Sequence, residues 1–159
     1  MTQKQPWKTY LFWILLSEAV GIVAGFLTRD GTEVFNLTIN QPVLTPPDIV
    51  FPVVWTILYA LMGISAARIS LQPQSEERSK GLKLFLAQLT VNFFWSLLFF
   101  NAQAFGLAFV WLIILWILVA YMISVFQKTD SLAANLQVPY LIWLTFAAYL
   151  SLAVWYLNR

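Results

Sequence analysis

From Ala104 to Phe126 the chain reads AFGLAFVWLIILWILVAYMISVF, without one charged side chain. A helix needs roughly 20 apolar residues to cross the hydrocarbon core of a bilayer, whereas a spanning strand needs about 9–11. In hydrocarbon the backbone must satisfy its own hydrogen bonds, so a run of this length reads as a membrane helix. Four other stretches have the same character: Thr9 to Leu27, Pro47 to Ser70, Leu82 to Phe100, and Leu132 to Leu157. Together they take up nearly all of the 159 residues. The expectation is an all-α integral membrane protein, a bundle of five transmembrane helices forming one domain over residues 1–159. No internal repeat is visible.

Composition agrees. Only 10% of residues are charged and 60% are hydrophobic, against about 25% charged in an ordinary soluble domain. The mean hydropathy is +0.75. A net charge of +2 without a basic stripe gives no sign of nucleic-acid binding. There is no Cys and no His. That removes disulfides, thiolate chemistry, the usual zinc ligands, His acid–base catalysis and the commonest axial ligand of haem iron. No catalytic set, metal site or required cofactor is expected.

The connections set topology and orientation. Arg29 to Thr45 reads as a long polar loop, Gln72 to Gly81 as a short charged one, and Asn101 to Gln103 as a tight turn between antiparallel neighbours. The first span follows Lys4 and Lys8, but it is too long for a signal-peptide core and lacks a small-residue cleavage site. Five spans put Lys4, Lys8, Arg68, Arg78, Lys80, Lys83 and Lys128 at one side, against Arg29 and Arg159 at the other. The positive-inside rule then predicts a multi-pass cell-membrane protein with its N-terminus in the cytoplasm and its C-terminus outside.

Within the spans, Ser17, Gly21 and Gly25 recur every four residues, a spacing that suits close helix packing or, alternatively, a homodimer seam. Glu18 lies mid-span; it reads either as a proton or ligand site or as a protonated carboxyl bonded to span three. On span three, Gln88, Asn92, Trp95, Ser96 and Phe99 share a face. On span five, Pro139, Trp143, Phe146, Ala147 and Leu150 do so, and Pro139 is expected to kink the helix. Span four, almost free of polar groups, is expected to be the most lipid-exposed. At the entrance of span two, Pro46 and Pro47 suit a first helical turn and Asp48 a helix start. Pro52 is expected to distort the turns that follow. Trp55, Tyr59, Met62 and Ala66 form a stripe that is either an interfacial belt or a pocket wall.

Three blocks in order, TPPDIVFPVVWTILYALMG (Thr45 to Gly63), VNFFWSLLFF (Val91 to Phe100) and PYLIWLTFAAYLSLAVW (Pro139 to Trp155), make the chain resemble the TspO/MBR family, the tryptophan-rich sensory proteins related to the translocator protein. The resemblance covers nearly the whole chain. It implies a five-helix bundle, often dimeric, with a cavity open toward the first loop that binds protoporphyrin IX-like tetrapyrroles and similar hydrophobic small molecules. By position, it implies ligand contacts from Trp55 and Tyr59, from Asn92, Trp95 and Phe99, and from Trp143, Phe146 and Ala147. The lack of His favours metal-free porphyrin over haem. Where the family carries an aromatic pair and a Trp in its first loop, this chain has Phe35, Asn36 and Leu44. Gln41 stands in place of a Lys, and Trp111 in place of an acidic residue found in some members. The function expected first is a membrane receptor or sensor for such ligands. Their transport comes second, with Glu18 as its one supporting feature. Light- and oxygen-dependent porphyrin degradation through Trp55 and Trp143 comes third, and an inert membrane scaffold last.

Overall fold

The computed structural model describes residues 5–159. Lys4, used above in the charge count, lies outside them. Among the described residues there are five helices long and apolar enough to cross a membrane. Helix α1 spans Pro6–Thr38, α2 Val50–Ser70, α3 Glu76–Ser96, α4 Phe105–Gln127, and the fifth crossing is built from α5, Ser131–Leu136, and α6, Val138–Leu157. A π-helical turn, Leu97–Asn101, continues α3.

Several boundaries differ from the sequence reading. The polar segment after Leu27 continues the helix: α1 runs 33 residues, or about 50 Å at 1.5 Å per residue, well beyond the roughly 30 Å of hydrocarbon. The Asp30–Gly31 pair is helical because Gly31 lets the π turn approach. A methyl group there would collide with the Phe100 carbonyl and the Asn101 side chain, and Asn101 Nδ2 donates to the Leu27 carbonyl at 3.0 Å. The connecting loop is therefore residues 39–49. Helix α2 begins at Val50 rather than at Pro47, which leaves Asp48 before the helix. Pro52 falls in the first turn, where backbone N–H groups have no intrahelical acceptor, and α2 runs on as one helix to Ser70. The fifth span does not kink at Pro139; it breaks at Gln137, and Pro139 sits in the first turn of α6.

Close packing joins α1 to α2, α3 to α4, and α4 to α6. Helices α1 and α2 meet at Gly63, where any side chain would strike the backbone of Ile14. Gly21 lies against the ring of Tyr59, while Gly25 has open space before it. The small-residue stripe of α1 thus packs within the chain at one position and faces a void at another. Span four is not the most exposed: only 17% of the apolar window of α1 is buried, against 33% for α4. Helix α4 buries Ala108, Leu112, Leu115, Val119 and Met122 along its seam.

At the end where α1 starts and α2 stops, polar groups tie the loops. Arg68 pairs with Asp130 at 2.9 Å, and Asp130 caps α5 by accepting from Leu132 N and Ala133 N. Arg78 donates to the Ser70 carbonyl at 2.7 and 3.2 Å. Ser65 donates to the Ala133 carbonyl, fixing α5 on α2.

Candidate functional site

Helices α2 and α6 approach each other mainly through aromatic rings. Trp143 meets Phe51 at 5.9 Å and Trp55 at 6.5 Å between ring centroids, both edge-on. Between them, α1 and α3 lies a cavity of about 630 Å³, within the range of roughly 300–1,000 Å³ usual for small-molecule sites. It runs from Glu18, Tyr59 and Asn92 at the inner end to Gln41, Thr45 and Asp48 of the loop at the outer end.

Of the expected contacts, Trp55, Tyr59, Asn92, Trp95, Phe99, Trp143 and Ala147 line this one cavity. Phe146 is not on its wall. It packs beside Trp143 and Tyr149, because the cavity stripe of α6 continues from Trp143 through Ala147 to Ser151 and Val154. Trp55 and Tyr59 lie 5.6 Å apart in a tilted pair, and Trp95 stacks on Phe99 at 5.2 Å. The Tyr59–Met62–Ala66 stripe divides: Tyr59 reaches the cavity, while Met62 and Ala66 are fully buried in the core below it.

The floor is polar and cross-linked. Asn92 Nδ2 donates to the Tyr59 hydroxyl at 3.3 Å. One turn below, Tyr140 donates to Gln88 Oε1 at 2.9 Å, and the Gln88 amide faces the Met62 sulfur at 3.9 Å. Gln88 therefore supports the site from beneath rather than lining it. Trp95 Nε1 is buried on the wall with no hydrogen-bond partner among the described residues. A buried unpaired donor is costly, so such a group is poised for an acceptor brought by a ligand.

Sequence reasoning missed the α1 wall. Glu18, Gly21, Gly25, Thr28 and Thr32 follow each other on one face and end at Asn36 above the mouth. Their spacing was visible, but the presumed loop after Arg29 hid the upper half. Glu18 makes no bond to span three; among the described residues no hydrogen bond or ion pair to it is found. Phe35, which holds one of the altered first-loop positions, packs on Phe99, Phe100 and Phe105 at 5.2–6.0 Å. The loop is held at its far edge by Asn158. Its side chain accepts from Asn40 N at 2.9 Å and donates to the Asn40 carbonyl at 2.8 Å. Trp111 and Trp116 lie outside the site, donating to the Val91 carbonyl and to Thr145 at 2.7 and 2.9 Å.

Comparison with known proteins agrees with this architecture. The model of the TspO/MBR family matches residues 13–157. The chain is 34% identical over 151 residues to the tryptophan-rich protein TspO of Chlorobaculum tepidum, covering 94% of this chain and 96% of the relative. It is 33% identical over 152 residues to the tryptophan-rich sensory protein of Cereibacter sphaeroides, covering 96% and 92%. It is also 33% identical over 119 residues to the translocator protein of Homo sapiens, covering 74% and 70%. A five-span helical bundle, a match across nearly its whole length and these relatives together establish that the chain belongs to the TspO/MBR family.

Proposed function

We propose that the protein is a membrane receptor or sensor that binds flat hydrophobic ligands of the porphyrin class, metal-free protoporphyrin IX among them, in the cavity between α1, α2, α3 and α6. The observation that carries this reading is the wall itself: indoles from three helices, Trp55, Trp95 and Trp143, bound one cavity of about 630 Å³. Aromatic faces stack on a planar ring system, and indole N–H groups bond its polar edge. The names of the relatives, a tryptophan-rich sensory protein and a translocator protein, support a sensory or translocating role. We further propose a cell-membrane location with the N-terminus in the cytoplasm and the C-terminus outside, supported by the basic residues gathered where α1 begins and α2 ends.

The test is titration of the detergent-purified protein with protoporphyrin IX, read by tryptophan quenching and by the absorbance of bound porphyrin. Saturable binding weakened at least several-fold by both Trp55→Phe and Trp143→Phe is expected. Non-saturable uptake, or binding indifferent to both changes, would overturn the reading. Transport is the second reading, favoured by the carboxylate of Glu18 on the cavity wall. It predicts that Glu18→Gln abolishes flux into proteoliposomes while binding persists.

A further inference from the structure

Resting on the ligand-binding reading above, we propose that Glu18 makes the inner end of the cavity a receptor for a cationic group, so that the site selects planar amphiphiles carrying a protonated amine over those carrying a carboxylate there. Glu18 stands at the end of the cavity farthest from the loop, half-buried, on the α1 face whose next lining positions are Gly21, Ile22, Ala24 and Gly25. All four are glycine or apolar, so α1 offers the carboxylate no polar partner over the next two turns.

A carboxylate at membrane depth is expensive unless something answers it. The described cations are engaged or distant. Arg68 holds Asp130 and Arg78 holds the Ser70 carbonyl, both at the opposite end of α2. Lys80 lies over the ring of Tyr121 at 5.0 Å. On α1 itself Lys8 lies over Trp7, ten residues before Glu18 and about 15 Å away along the axis. Arg29 is eleven residues after it, about 16 Å away, paired with Asp30 at 3.5 Å and resting on Phe26. The nearby polar groups make no bond to it among the described residues: Asn92 donates to the Tyr59 hydroxyl, and Ser17 donates to the Trp13 carbonyl at 2.9 Å. Among the described residues the cavity thus has an unanswered anion at its inner end, and it shares that cavity with the paired rings of Tyr59 and Trp55, whose faces attract cations. Among the described residues the one cation on its lining, Arg29, belongs to the outer half, where Asp48 also lines the wall.

The experiment compares three ligands on one ring: protoporphyrin IX, its dimethyl ester, and its bis-amide ending in two primary amines. Each is titrated into detergent-purified wild type, Glu18→Gln and Glu18→Ala, with bound-porphyrin absorbance as the readout. A charge-assisted bond suggests that wild type binds the diamine about tenfold or more tighter than the diacid. That preference should fall to about twofold in both variants, while affinity for the neutral ester stays nearly unchanged. A diamine preference that survives both substitutions, or no preference in wild type, would overturn the proposal and leave the porphyrin reading standing. Failure of all three ligands to bind saturably would overturn the porphyrin reading and this proposal with it.

Discussion

Of the eight tryptophans, Trp55, Trp95 and Trp143 face the cavity, while Trp13, Trp111 and Trp116 use their ring N–H to join helices. The two groups should answer differently to replacement by Phe, which keeps a ring and deletes the donor. Trp111→Phe removes the bond to the Val91 carbonyl across α3 and α4, and should cost about 1 kcal/mol of stability. Trp95→Phe removes a donor that has no partner among the described residues. It should leave stability nearly unchanged and instead weaken binding of any ligand with an acceptor at that wall. Unfolding of each variant in detergent, beside a binding titration, separates them; equal destabilisation by both changes would contradict this division. The glycines divide similarly. Gly63→Ala drives a methyl into the backbone of Ile14 and should destabilise by about 1–3 kcal/mol. Gly25→Ala meets open space and should be tolerated, because alanine also favours the helix.

At the scale of elements, the segment 39–49 acts as a strap over the mouth of the cavity. Asn158, at the end of α6, pairs with both backbone groups of Asn40. Asn36 on α1 reaches Asp48 at 3.4 Å, a weak bond between exposed groups. Asn158→Ala deletes two bonds that each contribute about 1 kcal/mol, so the strap should open more often and ligand dissociation should quicken by up to about thirtyfold. Stopped-flow displacement of bound porphyrin measures this, and an unchanged off-rate would mean that exchange uses another route. Sequence spacing picked out the stripes of α2, α3 and α6 that hold Trp55, Tyr59, Asn92, Trp95, Phe99, Trp143 and Ala147, because rings and amides recurring every three or four residues mark a buried helical face. It left the α2 stripe open between an interfacial belt and a pocket wall; only the family resemblance made these residues ligand contacts. Spacing did not foretell that α1 continues to Thr38. Polar residues and an Asp–Gly pair resemble a turn, and what keeps them helical is tertiary: the π turn of α3 seated against Gly31. Nor could spacing separate Phe146 from Ala147, since adjacent positions on a helix differ by about 100° and only the packed neighbours decide which one faces the void.

For the whole molecule, the decisive question is which end of the bundle faces the cell interior, because it sets the side toward which the cavity mouth opens. The spans alternate in direction, so Lys8, Arg68, Arg78, Lys80, Lys83 and Lys128 gather at one end, while the strap and Asn158 lie at the other. Each basic residue near a span end disfavours translocation, and the proposed topology rests on this excess. The chain offers a direct test because it contains no cysteine, so each introduced thiol is the sole target of a maleimide. Gln41→Cys sits in the strap and Lys128→Cys at the exposed end of α4. A membrane-impermeant maleimide added to intact cells should label Gln41→Cys and leave Lys128→Cys unmodified until the membrane is opened. The reverse pattern would turn the cavity mouth toward the cytoplasm, and ligands would then be sampled from inside the cell. Labelling of both in intact cells would mean that the basic residues do not impose a single topology.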